Sequence, residues 1–297
     1  MAAARHQSQF GQERTMLKLH VFNTGWVSVE EKHLYVGGGS TVRTLPVMAF
    51  VIEHPQGLVL FDTGLNSAFA IDPRRHVDWR SDRLIHFRSS LRMCLSAQMM
   101  ARRLPPADVE TIILSHLHYD HTGDLSAFPG AQVVVTRQEW QAAHSPLRRL
   151  RGYLDRECLG SCFELVDFHV EHLPSPDEVL RGGYGIDLLG DGTLILVPTF
   201  GHTAGHQSLL VFLPHGVVLL AGDAVYVREG YVRPVAQPHA RFADLAWRSL
   251  IGLRALARGI PTAFILPSHD DTALHNLQRP DIATYDVPIP LSHGGAD

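Results

Sequence analysis

The chain has 297 residues, 45% hydrophobic and 19% charged, the balance of an ordinary globular protein. A formal charge of −4 gives no electrostatic reason to bind nucleic acid or an anionic membrane surface. No run of about 18 apolar residues is present, so no membrane span is predicted. Three cysteines (Cys94, Cys158 and Cys162) are too few for a disulfide framework and suit small buried hydrophobes in a reducing cytoplasm.

Residues 1–15 are polar, lack the apolar core of a secretory signal, and are expected to form a flexible tail. Residues 16–297 are expected to form a single domain with a variable insertion around 145–190. Leu17–Phe22 alternates enough to be a first strand. Gly25–Thr44 reads as a loop with Gly37-Gly38-Gly39 as a turn. Its apolar islands, Trp26, Leu34 and Tyr35, either cover a pocket or belong to a hairpin packed on the core. Val47–Glu53 and Leu58–Asp62 read as strands joined by a hairpin turn at His54-Pro55-Gln56-Gly57. Asn66–Arg88 is irregular and charged. Ser90–Leu104 reads as a helix, with Leu91, Leu95 and Met99 on one stripe and Pro105-Pro106 as its stop.

Thr111–Leu114 is a short strand of β-branched and aliphatic residues. It opens into the densest chemistry of the chain, Ser115-His116-Leu117-His118-Tyr119-Asp120-His121-Thr122-Gly123. Four ligand-type side chains this close would repel a shared proton but suit a shared cation, and imidazole and carboxylate are the usual donors to zinc and similar ions. Gln132–Thr136 is a further strand, and Arg137–His144 begins a helix. In the variable middle, Arg148, Arg149 and Arg151 read either as a solvated helix face or as an anion site. Order returns with the strand Thr193–Val197 and the segment Gly201-His202-Thr203-Ala204-Gly205-His206. The strands Gln207–Leu213 and Val217–Ala221 follow, the latter ending at Gly222-Asp223. Phe242–Arg258 is an amphipathic helix. A last strand, Thr262–Leu266, ends at Pro267-Ser268-His269-Asp270. Four strand ends therefore carry ligand-type residues: the central cluster, His202, Asp223 and His269. Two rounds of strands and helices suggest two facing sheets with helices outside.

The central stretch matches the His-x-His-x-Asp-His signature, and the chain resembles the metallo-β-lactamase superfamily of binuclear metal hydrolases. Asp62-Thr63-Gly64, Gly201-His202-Thr203-Ala204-Gly205-His206, Gly222-Asp223 and Ser268-His269-Asp270 match the family's other blocks in order. The resemblance implies an α/β fold, a four-layer αβ/βα sandwich with the metals at one edge. It implies that His116, His118 and His202 hold a first ion, that Asp120, His121 and His269 hold a second, and that Asp223 bridges them. Asp62 would orient a ligand, and His206 would be structural. The two divalent ions are expected to be zinc, although the same donors accept iron, cobalt or manganese.

Asp223 speaks against the best-known zinc β-lactamases, which lack a bridging aspartate there. Gly222-Asp223-Ala224-Val225-Tyr226 resembles the N-acyl-homoserine lactonases, the quorum-quenching branch. Tyr226 would then donate to the substrate carbonyl and Asp120 could move a proton, making these two the expected catalytic residues. The implied function is opening of a homoserine-lactone ring, with a small-molecule lactone as partner, no nucleic acid, no membrane, a cytoplasmic location and room for a homodimer. Another lactone, a glyoxalase II-like thioesterase activity or a phosphoesterase activity are the alternatives within enzymes. A non-catalytic metal-binding module is the alternative outside them.

Overall fold

Met48, Phe50 and Ile52 alternate along one strand with Ala49 and Val51, and all five are fully buried. Side chains alternate across a strand, so a strand buried on both faces needs a separate core on each side. The computed structural model describes residues 17–271 apart from 73–83, 124, 147, 154–162, 169–174, 176, 179–184 and 215. It provides both cores.

A seven-stranded sheet contains β1 (Lys18–Glu30), β2 (Val42–His54), β3 (Gly57–Phe61), β4 (Ile85–Arg88), β5 (Val109–Ile113), β6 (Gln132–Thr136) and β7 (Phe163–Val166), in the order β4-β1-β2-β3-β5-β6-β7. A five-stranded sheet contains β8 (Ile186–Asp187), β9 (Leu194–Pro198), β10 (Gln207–Leu213), β11 (Gly216–Gly222) and β12 (Ala263–Pro267), in the order β12-β11-β10-β9-β8. β3, β5, β6 and β7 run parallel, as do β11 and β12. The C-terminal ends of the parallel strands are where such sheets expose their loops to ligands.

The inner faces meet in one core: Met48, Phe50, Ile52 and Phe61 of the first sheet against Leu194, Leu209, Val211 and Leu220 of the second. The outer face of the first sheet (Ala49, Val51, Leu60, Ile112) packs on Leu95 and Met99 of α1 (Leu95–Ala101) and Ala143 of α2 (Arg137–Ala143). After α3 (Arg228–Val232), α4 (Ala243–Gly259) lays Leu250, Leu253 and Leu256 on the outer face of the second sheet. The layers are helix, sheet, sheet, helix, the expected αβ/βα sandwich. Among the described residues no helix is long and apolar enough to cross a membrane.

Several elements differ from the sequence reading. β1 runs on to Glu30 through a register shift between Asn23 and Gly25, and β2 begins at Val42, so much of the expected loop is a long hairpin. A bulge breaks the alternation that marks a strand in sequence. The expected helix over Ser90–Leu104 splits at Cys94, whose ψ of 137° is extended; a 3-10 turn (Leu91–Met93) precedes α1, and Leu91 of the apolar stripe is exposed. The irregular stretch after Asn66 ends in β4, which pairs with β1. β7 and β8 lie within the variable middle. The expected tail, Cys158, Cys162 and much of 145–190 lie outside the described residues.

Candidate metal centre

The ends of β3, β5, β11 and β12 and the loop between β9 and β10 converge at one edge of the sandwich. Residues separated by as much as 223 positions touch there, as in the hydrogen bond from His269 to Pro46. Gly222 permits the approach of β11. It has φ +54°, and a Cβ there would lie 2.7 Å from Ser115 Cβ and 2.8 Å from His206 Nε2. Asp62, at the end of β3, holds a left-handed φ of 57°, a conformation an aspartate keeps only where its surroundings fix it.

All seven residues expected to hold metal come together. Three overlapping groups each bring their ligand atoms within 4.8 Å of one another: His116, His118 and His202; His116, His121 and Asp223; Asp120, His121 and His269. Asp223 stands between the halves. Its Oδ2 lies 3.5 Å from His202 Nε2 and 3.9 Å from His116 Nε2, while its Oδ1 lies 3.4 Å from His121 Nε2 and 3.3 Å from His269 Nε2. Asp120 faces the second half alone, with Oδ1 3.8 Å from His121 Nε2 and Oδ2 3.7 Å from His269 Nε2.

The outward nitrogens fix the tautomers. His121 Nδ1 donates to Asp62 Oδ2 (2.8 Å), His269 Nδ1 donates to the Pro46 carbonyl (2.8 Å), and His116 Nδ1 meets Ser115 Oγ (2.9 Å). Ser115 in turn donates to Asp62 through its hydroxyl (2.8 Å) and its backbone N–H (2.7 Å). Asp62 thus orients two of the imidazoles, directly or through Ser115. His202 Nδ1 lies 3.0 Å from the Tyr226 hydroxyl. Each of these four rings therefore engages a partner through Nδ1 and turns Nε2 inward, the arrangement a metal-binding histidine requires. His118 is reversed, with Nδ1 inward, 3.1 Å from His202 Nε2. His206 belongs to none of the three groups. It meets Thr199 Oγ1 (2.7 Å) and accepts the Asp223 backbone N–H (3.0 Å), fixing the loop that carries Asp223.

The two halves differ electrostatically. Burial, and then the neighbouring imidazoles, hold His116 well below its usual pKa; burial likewise holds His202 well below it and pulls His118 to about 4. Burial also opposes a charge on His121 and His269, but for both rings the carboxylates of Asp223 and Asp120, joined at His121 by Asp62, outweigh it and raise them. Asp223 is held well below the carboxylate range: burial would raise it, but His121 and His269 dominate. His121 Nε2 and Asp223 Oδ1 are buried without a hydrogen-bond partner. Inward lone pairs on nitrogen and oxygen, orphaned and converging, fit divalent cations.

A cavity of about 340 Å³ opens onto this edge. Val27, Val29, Leu34, Leu45, Ile85 and Phe87 form its apolar wall, and Asp120, Asp223, Tyr226 and His269 lie on its floor. His33, His239 and Arg151 add polar groups. Leu34 thus fulfils both readings offered for the apolar islands, hairpin and pocket cover. The sequence reading assigned no role to Leu45, Ile85, Phe87, His33 or His239, because no motif marks them.

A family model described as the metallo-beta-lactamase superfamily matches residues 42–269. An N-acyl homoserine lactonase, AttM, from Azorhizobium caulinodans is 31% identical over 270 residues, covering 89% of this chain and 97% of its own. The AttM lactonase of Rhizobium radiobacter is 30% identical over 268 residues, with the same 89% and 97% coverage. Among solved structures, an N-acyl homoserine lactone hydrolase with the product N-hexanoyl-L-homoserine at its catalytic metal center superposes with a TM-score of 0.73 at 23% identity, covering 88% of this chain and 96% of that one, a likeness of fold. On this likeness in sequence and in fold, the chain belongs to the metallo-β-lactamase superfamily, in its N-acyl-homoserine-lactonase branch.

Proposed function

We propose that the protein hydrolyses N-acyl homoserine lactones to the ring-opened hydroxy acids, using two divalent cations, with zinc as the native metal. In this reading His116, His118 and His202 hold one ion, Asp120, His121 and His269 hold the other, and Asp223 holds both. The observation that carries it is Asp223, one oxygen toward each pair of imidazoles, at the floor of a cavity with an apolar wall. The related AttM proteins carry the lactonase name over nearly their whole length.

Two bound cations contribute Lewis acidity, polarising a carbonyl oxygen and acidifying water. The chain's own residues do the rest. Water adds to the lactone carbonyl carbon, the ring carbon–oxygen bond breaks, the ring oxygen leaves as a hydroxyl, and the new carboxylic acid gives up a proton. With His202 Nε2 turned to an ion, its proton lies on Nδ1, 3.0 Å from the Tyr226 oxygen, and the phenol proton is then free to point into the cavity. Burial pushes Tyr226 well above its usual pKa, which keeps that proton in place as a donor to the carbonyl oxygen as charge develops. Asp120, which lines the cavity, passes a proton from the attacking water toward the leaving ring oxygen. The apolar wall takes the acyl chain. The cysteine usage suits a cytoplasmic setting.

The test is proton release at fixed pH from short- and long-chain acyl-homoserine lactones, with a glutathione thioester and a phosphodiester alongside. His118→Ala and Asp223→Asn serve as blanks. Fast lactone opening that is lost in both variants is the expected result. Brisk thioester or phosphodiester cleavage without lactone opening would retain the metal centre and overturn the substrate.

A further inference from the structure

Thr136-Arg137-Gln138-Glu139 has the form of a helix capping box, in which the first side chain caps the helix and the glutamate folds back to the cap's own N–H. Half of that description holds. Thr136 Oγ1 accepts the Glu139 backbone N–H at 3.1 Å. The Glu139 side chain instead leaves its helix and, fully buried, enters the space between the two sheets' loops. Oε1 accepts the backbone N–H of Leu117 (3.1 Å), the residue between His116 and His118. Oε2 accepts the backbone N–H of Gly205 (3.0 Å), in the loop that presents His202. The Thr136 hydroxyl donates to the Gly205 carbonyl at 2.6 Å. Gly205 must be glycine for this contact, since a Cβ would lie 2.1 Å from Thr136 Oγ1 and 2.2 Å from the Glu139 nitrogen.

A second path leads to the same carboxylate. The Tyr153 ring packs on His118 with centroids 5.1 Å apart, its backbone bridges to His118, and the neighbouring Glu139 carboxylate adds to burial in pushing its phenol pKa up. One buried side chain thus ties together the backbones presenting His116, His118 and His202. Among the described residues it makes no hydrogen bond to His121, His269, Asp120 or Asp223, whose supports are Asp62 and Pro46 among others.

The geometry points to Glu139 as a positioning residue that sets the spacing of the three-histidine half of the metal centre and leaves the carboxylate-rich half to other supports. This rests on the reading of the cluster as a two-ion site. Its chemistry is specific: two backbone N–H donors need two acceptor oxygens. Glu139→Gln keeps size and shape but turns an NH2 against one of those N–H groups. Loss of such an outer partner typically weakens metal affinity about 10–100-fold.

The experiment uses the full chain as wild type, Glu139→Gln and Tyr153→Phe. Bound zinc is counted after desalting, stepwise affinity is measured by chelator competition, and the two sites are resolved by cadmium-113 resonances after cadmium loading. The expected result is two ions in the wild type. In Glu139→Gln, one ion should be weakened about 10–100-fold with its resonance shifted and the other unchanged; Tyr153→Phe should show a smaller loss at the same site. Two ions of wild-type affinity in Glu139→Gln, or equal loss of both, would overturn the proposal. If Glu139→Gln does not fold, Tyr153→Phe decides by the same criterion. A folded wild type that takes up no ion would refute the metal reading itself.

Discussion

Two ends of the sandwich bury histidine beside carboxylate, and they do opposite things with it. At the edge away from the cavity, His54 accepts the Gln56 N–H on Nδ1 (3.1 Å) and turns Nε2 toward Asp191 Oδ2 (2.8 Å) and Thr193 Oγ1 (3.1 Å). Each ring nitrogen meets a group of the opposite sense, and the ring joins the β2–β3 hairpin to the start of β9. At the cavity edge nitrogen meets nitrogen: His202 Nε2 lies 3.2 Å from His116 Nε2 and 3.1 Å from His118 Nδ1. An arrangement that sets each ring nitrogen against a group of the opposite sense stabilises a fold. One that points lone pairs at lone pairs costs stability until something positive arrives, and so marks function.

The largest expected effect sharpens this contrast at the cavity edge. Tyr226→Phe removes a hydroxyl whose hydrogen bond among the described residues is to His202; kcat for lactone opening should fall by about 10²–10³-fold with bound metal unchanged. Unchanged turnover would remove Tyr226 from the chemistry. Next comes the proton count. The carboxylates of Asp223 and Asp120 raise the pKa of both His121 and His269 against the effect of burial, so protons compete with a cation for their Nε2 atoms more strongly than at an ordinary imidazole. A cation must displace them, so metal loading should release protons to a pH indicator. Apparent affinity should rise with pH and fall as the solution is acidified, by about tenfold per pH unit for each proton displaced. Loading without proton release would erase the distinction between the two halves. The smallest effect lies at the far edge. His54→Ala should cost about 1–3 kcal/mol of stability, read as a melting temperature lower by several degrees, and leave kcat/KM per folded molecule untouched. A loss of activity beyond the loss of folded protein would mean that the two ends are coupled.

The cavity edge was the more legible of the two. His116, His118, Asp120 and His121 occupy six positions after a short strand, and His202, Asp223 and His269 each follow or precede an apolar run beside glycine or proline, so ligand chemistry and strand end could be read together. The expected first strand stops short because the Asn23/Gly25 bulge hides the continuation of β1. α1 was lengthened because Leu91, Leu95 and Met99 keep helical spacing across an extended Cys94. β7 and β8, four and two residues long, are too short to show a period. The sequence reading gives Glu139 no role, because its partners lie 22 and 66 residues away and local pattern carries no information at that range. The cavity wall is assembled from β1, β2, β4 and the β1–β2 connection and belongs to no motif at all.

His269 follows the last described strand, and its ring is held by the carbonyl of Pro46, at the other end of the described chain. The set is therefore incomplete on any nascent chain that has not yet extended beyond residue 269, however much of the first sheet has formed. Contacts between residues so far apart in sequence form late and slowly. During synthesis, the partial set at His116–His121 would meet cellular metal before its partners exist. Two-ion occupancy, in the proposed reading, would require a chain that extends past residue 269, so metal per chain would separate molecules truncated before that point from longer ones.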